Sequence, residues 1–165
     1  MSRALRLLAL ALLGGCGFHL EGHVPLPASL QSPLVEARDR QTDFVQTLRR
    51  SLTINGAHVT EESKEASAVV HVLMDELDER VLAVSSTNLP REYELTYRVR
   101  FSVSVDGTEL LAAQDVSATR DFAFDEHYLL AKDNEEQILR QALAQDLVGV
   151  VMRRLERLPP PKPAS

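Results

Sequence analysis

Apolar residues fall at alternate positions along a stretch in the middle of the chain: Tyr93, Leu95, Tyr97, Val99, Phe101, Val103 and Val105. Glu94, Thr96, Arg98, Arg100, Ser102 and Ser104 lie between them. A period of two sends successive side chains to opposite faces, so this pattern predicts a long strand with one apolar and one polar face. Asp106-Gly107 follows at once, the kind of pair that a two-residue hairpin needs. A return strand then spans residues 109–124, with Val116, Ala118, Phe122 and Phe124 on its apolar face. Arg120 falls on that same face by parity, which demands a bulge or a buried ion pair. The apolar stretch 68–74, with Val69, Val70 and Val72, predicts another strand, and 34–37 a short one.

Two segments carry the helical period instead. Phe44, Val45, Leu48 and Leu52 lie a turn apart, with Asp43, Gln46, Arg49 and Arg50 between them. Thr42 or Asp39 is placed to cap this helix, and Asn55-Gly56 to end it. Near the end of the chain Ile138, Leu139, Ala142, Leu143, Leu147, Val151, Leu155 and Leu158 form one apolar stripe. Asp133-Asn134-Glu135-Glu136 reads as its capping-box-like start, and Arg153, Arg154 and Arg157 suit its negative end. The order strand, helix, strands, helix, with sheet strands polar on one side, predicts an α+β two-layer sandwich. Two helices would cover one face of a mainly antiparallel or mixed four-stranded sheet. The polar face is left to water or to a polar partner.

Composition narrows the reading. The chain has 165 residues, 44% hydrophobic and 25% charged, which is globular composition with room for a single core. Its formal net charge of −6 argues against a nucleic-acid partner, which would call for a basic excess. The single Cys rules out an internal disulfide and a multi-Cys metal site.

The N-terminus predicts the compartment. Arg3 and Arg6 flank the start of an apolar run, Leu7 through Leu13, followed by Gly14-Gly15-Cys16. That is the layout of an export signal over residues 1–15. As a helix the stretch from Leu5 to Leu13 would rise only ~14 Å, against a bilayer core of ~30 Å, so it does not span a membrane. Leu13-Gly14-Gly15-Cys16 resembles the bacterial lipobox, in which cleavage precedes the Cys and the Cys carries the lipid. Gly17 in place of an Asp favours the outer membrane within that resemblance. Cleavage would remove Arg3 and Arg6 and take the net charge to −8. Residues 16–33, with Pro25, Pro27, Pro33, Gly17 and Gly22, then read as a tether. The domain occupies 34–158, and 159–165, opening on Pro159-Pro160-Pro161, is a disordered tail.

Chemistry is sparse. No phosphate-binding Gly-rich loop, HExxH, GxSxG or paired-Cys motif occurs. His19 and His23 are four apart near Cys16, but a Gly/Pro tether gives ligands no rigid frame. His58 and His71 read as structural or surface residues, and Asp75, Glu76, Asp78 and Glu79 as a solvated strand end without calcium-loop spacing. His127 beside Asp125 and Glu126 is an acid–base cluster only if something orients it. The expectation is a non-enzyme without a cofactor beyond the covalent lipid on Cys16, a palmitate-type acyl modification. Arg91, Arg98, Arg100, Arg120 and Lys132 stand out in an acidic chain as sites for anionic groups.

Four segments in order resemble the LPS-assembly lipoprotein family LptE. They are Cys16-Gly17-Phe18-His19-Leu20 after the signal, Leu52-Thr53-Ile54-Asn55-Gly56-Ala57, Arg91-Glu92-Tyr93-Glu94-Leu95 and Leu130-Ala131-Lys132-Asp133-Asn134-Glu135-Glu136. The resemblance implies a helix-on-sheet fold and an outer-membrane lipoprotein that sits within the lumen of the LptD β-barrel. There it would act as plug and assembly partner while lipopolysaccharide is delivered to the outer leaflet. It also implies lipopolysaccharide binding through basic residues. Lys132 matches the family's lysine; a gap-free alignment puts the other basic position at Ser86, with Arg91 five residues later as its stand-in. Two alternatives stay open: an auxiliary lipoprotein of another envelope lipid or secretion transporter, and a small periplasmic hydrolase built on His127.

Overall fold

Helix α1, Asp43–Ile54, shows how local chemistry sets the elements. Thr42 precedes it in an extended conformation, and its Oγ1 accepts the Val45 N–H at 3.2 Å. At the other end Gly56 has φ +90°, a conformation that L side chains rarely adopt. The Ala57 N–H reaches back to the Leu52 carbonyl and the Gly56 N–H to the Thr53 carbonyl, each at 3.0 Å, closing a Schellman motif. Phe44, Val45, Leu48 and Leu52, the positions picked out by the helical period, are fully buried.

The protein is described here from a computed structural model, over residues 26–123 and 129–159; within 129–133 only the backbone is described. A one-turn helix at Ala28–Leu30 leads into β1, Pro33–Ala37, then α1. A second short turn at Ser63–Glu65 precedes β2, Ala68–Val84; β3, Pro90–Val105; and β4, Thr108–Ala123. Helix α2, Leu129–Leu155, follows. The sheet order is β1-β2-β3-β4, with β1 parallel to β2 and the other pairs antiparallel. Both helices pack on one face, giving the expected two-layer α+β sandwich with a mixed four-stranded sheet. Its core joins Leu48 and Leu52 of α1, Leu143, Leu147 and Leu155 of α2, and Leu95, Val99 and Phe101 of β3. Each such side chain contributes about 1.5–3 kcal/mol relative to exposure. Asp106 (φ 50°) and Gly107 (φ 75°) make the β3–β4 turn, both left-handed as a type I′ hairpin requires.

Several details differ from expectation. The chain joins the core before residue 34: Leu30 is fully buried and β1 begins at Pro33. Ser67 ties this segment down, donating from Oγ to the Ser29 carbonyl at 2.8 Å and accepting the Ser32 N–H at 2.9 Å. Strand β2 extends ten residues past Met74 to Val84. A register shift between Val72 and Met74 makes Leu73 an extra residue, so the side-chain parity reverses. Asp75 and Leu77 then take the helix side, opposite Val99 and Tyr97, and the acidic run is strand interior, not a strand end. Helix α2 begins at Leu129, so Asp133 lies inside it and is not its cap. Leu129-Leu130-Ala131-Lys132 are good helix formers and carry the helix back a turn. Ile138 is 65% exposed because it shares a helix face with the exposed Gln141 and Gln145. Ala144, Val148 and Met152 widen the buried stripe instead.

Candidate functional site

The sheet face opposite the helices is the surface that the fold leaves uncovered among the described residues. Strand alternation puts Glu94, Thr96, Arg98, Arg100, Ser102 and Ser104 of β3 there, flanked by Glu76 and Asp78 of β2 and by Asp115, Ser117, Thr119 and Asp121 of β4. Its charges are organised across strands. Arg100 grips Asp115 through Nε at 2.7 Å and Nη2 at 3.1 Å, a bidentate pair. Arg80 reaches Glu94 at 2.8 Å, Arg98 lies 3.6 Å from Asp78, and the Thr96 and Thr119 hydroxyls are 3.2 Å apart. Arg100 holds the Asp115 carboxyl below the usual carboxylate range, chiefly through that hydrogen bond. Arg98 and Arg100 are therefore engaged by carboxylates, which removes them from the expected set of anion sites. Arg120 is engaged too, on the helix side: its Nη2 lies 2.6 Å from Asp146 of α2.

His71 forms a chain of contacts at the other end of this face. Its Nδ1 is 2.7 Å from Glu36 of β1 and its Nε2 is 2.8 Å from the Ser104 hydroxyl of β3. The sequence alone marks His71 as a plain structural or surface residue. The parallel register that sets Glu36 beside it has no signature in the spacing. Ser104 is paired with Val69 on one side and Glu109 on the other. The chain thus stitches β1 to β3 through β2, in a strand interior rather than in a pocket.

A second polar cluster sits below the N-terminus of α1. Asp75 accepts the Thr42 hydroxyl at 2.5 Å and the Tyr97 hydroxyl. Burial raises the Asp75 carboxyl above its ordinary value, against the pull of these two hydroxyls; the nearby Asp39 and Asp43 carboxylates add to the rise. Burial, with the Asp75 carboxylate next, drives the Tyr97 hydroxyl far above the usual phenol range, so it stays a donor. Asp43 in turn pairs with Arg140 of α2 at 2.6 Å, linking the helices.

Of the residues expected to bind lipopolysaccharide, Arg91 lies toward one end of the sheet. Arg91 is the exposed second residue of β3, and its neighbour Glu92 pairs with Ala123, the last residue of β4. Arg91 therefore stands where the chain leaves the sheet on its way to α2. Lys132 is in the first turn of α2, inside the helix instead of ahead of it. The same end of the sheet carries exposed Val81, Leu82, Val84 and Leu89, with a cleft of about 260 Å³ bordered by Leu82, Glu92 and Phe122. Tyr93 and Phe122 stack beneath it with ring centroids 5.3 Å apart. Cys16, His19, His23 and His127 lie outside the described residues.

Comparison with known proteins places this arrangement. The family described as "LptE: Lipopolysaccharide-assembly" matches residues 31–155. The LPS-assembly lipoprotein LptE of Yersinia pestis is 25% identical over 149 residues, covering 90% of this chain and 72% of that protein. A lipoprotein B from Nitrosomonas europaea, solved in solution, has the same fold with a TM-score of 0.69 and 26% identity, over 85% of this chain and 90% of its own. A minor lipoprotein from Acinetobacter baumannii superposes with a TM-score of 0.66 at 22% identity, over 84% of this chain and all of its own. With the match running from the turn before β1 to the end of α2, the chain belongs to the LptE lipopolysaccharide-assembly family.

Proposed function

We propose that this protein is an outer-membrane lipoprotein, held by lipid on Cys16, that assembles with and plugs the LptD β-barrel and assists lipopolysaccharide delivery to the outer leaflet. The observation that carries the reading is the uncovered sheet face, whose charged groups are largely answered from within the face itself. A buried charge without a partner is costly, and the cross-strand pairs lower that cost when the face is covered. A barrel lumen is polar, so such a face enters it without exposing an apolar surface to water. Family membership supplies the process, lipopolysaccharide assembly.

Within this reading the role is non-catalytic, and no cofactor is required beyond the lipid. Each buried CH₂ is worth about 0.8 kcal/mol, so several acyl chains hold the domain to the membrane. Lipopolysaccharide contact falls to Arg91 and Lys132, because the sheet-face arginines are occupied by carboxylates. The test is affinity purification of the tagged chain from detergent-solubilised outer membranes. Recovery of a large β-barrel in equal amount supports the reading. Recovery with inner-membrane or soluble periplasmic components instead overturns it.

A further inference from the structure

Strand β1 covers only part of its neighbour. It pairs with Ala68, Val69, Val70, His71 and Val72 of β2 and then ends, so among the described residues no strand lies on the outer edge of β2 over 73–84. Register shifts interrupt the β2–β3 pairing at both ends of this edge, between Val72 and Met74 and again between Val81 and Val84, with Leu73 and Leu82 as unpaired extra residues. Between them 74–81 pairs with β3 without interruption, a run of ~26 Å at ~3.3 Å per residue. Natural edge strands are blunted by charge, proline or cover, because their unpaired backbone groups are a template for another strand. Here large apolar side chains stand exposed at both ends of the run: Leu73, Val81, Leu82 and Val84. A cleft of about 150 Å³, bordered by Ala37, Arg38, Leu73 and Met74, opens where β1 departs.

From this geometry we infer that the outer edge of β2 takes up an extended, basic segment of another polypeptide as an added strand, its apolar residues seated on Leu73 and Leu82. The occupant follows from the charges. With Asp75 turned inward under Thr42, Glu76, Asp78 and Glu79 still outweigh Arg80 along the run. A second copy pairing antiparallel through this stretch would bring acid against acid, and like charges directly opposite are destabilising. Lysines or arginines on the incoming strand would meet the opposite sign. A wall strand of a closed barrel has no unpaired backbone to offer, so the segment is a loop or a chain end. The inference goes beyond the proposed function and stands or falls separately from it.

Hydrogen exchange read by mass spectrometry on the full chain in detergent tests it. The probe is the peptide acetyl-Lys-Val-Lys-Val-Lys-Val-Lys-Val-amide, with its Glu-for-Lys counterpart as the contrast. The expected result is a slowing of about tenfold or more in the amides of 74–81 with the Lys peptide alone. The slowing weakens in Leu73→Lys, an exposed substitution that leaves the fold intact. Equal slowing with the Glu peptide, or equal slowing along β4, overturns the inference. So do protection that rises with protein concentration in the absence of peptide, which would mean self-pairing, and no slowing at all.

Discussion

Arg120 of β4 and Asp146 of α2 meet at 2.6 Å across the two layers, with about half of each side chain exposed. The pair answers the parity conflict posed by an arginine on an otherwise apolar strand face. Arg120 does face the helices, opposite Leu95, and reaches past the core edge to a carboxylate. Because water screens it, the pair is worth at most about 1 kcal/mol. Arg120→Ala is expected to lower stability by about 0.5 kcal/mol, and a double-mutant cycle with Asp146→Ala, read by urea unfolding, should give a coupling below about 1 kcal/mol.

Asp75 gives the fold a specific pH signature. Its carboxyl is raised by burial, so on acidification the folded chain takes up a proton before the unfolded chain does. Its contribution to stability therefore rises as pH falls through the raised value toward the ordinary carboxylate value of about 3.9, and levels off below it. Glu61 and Asp115 act in the opposite sense, each lowered chiefly by a hydrogen bond from an arginine, Arg49 and Arg100 respectively. Asp75→Asn cannot titrate. The stability of the parent minus that of Asp75→Asn, from urea unfolding at stepped pH, is expected to grow between pH ~7 and pH ~4. The Glu61 and Asp115 terms cancel in the difference.

Gly56 marks where backbone conformation, not space, limits substitution. A Cβ built there meets nothing within 4 Å, but φ is +90°. Gly56→Ala is expected to cost about 1–2 kcal/mol, the price of a left-handed residue with a side chain. Thermal unfolding checks it. Phe101→Ala, by contrast, empties a fully buried position in the middle of β3 and is expected to cost about 3–5 kcal/mol.

Much of this architecture was legible because period and burial coincide. The alternation from Tyr93 to Val105 marks the buried row of β3, and Thr42 and Gly56 bound α1 as capping chemistry demands. What stayed hidden depends on contacts distant in sequence. The bulge at Leu73 reverses the parity of β2, and a charged run read along the chain cannot show that Asp75 turns inward under Thr42 while Glu76 turns outward. Likewise His71 acquires its partners from a parallel neighbour and an antiparallel one. A capping pattern inside a helix looks the same in sequence as one at its end, so Asp133 reads as the start of α2 although the helix begins at Leu129.

Lys132 lies in the first turn of α2, where the helix dipole disfavours a cation by about 0.3–1 kcal/mol. Lys132→Asp should therefore leave the fold intact or slightly stabilised while weakening lipopolysaccharide binding in vitro. Binding to immobilised lipopolysaccharide, measured beside a thermal melt, checks both halves. Arg91→Ala should weaken the same binding, and unchanged binding in either variant removes that residue from the site.

The most direct measurement is in-cell photo-crosslinking from Ser117, an exposed residue opposite Arg98 on the uncovered sheet face. A photoreactive residue placed there should give one dominant adduct, with a large outer-membrane β-barrel. An adduct with a soluble or inner-membrane protein instead, or none in cells that carry the barrel, would contradict the account.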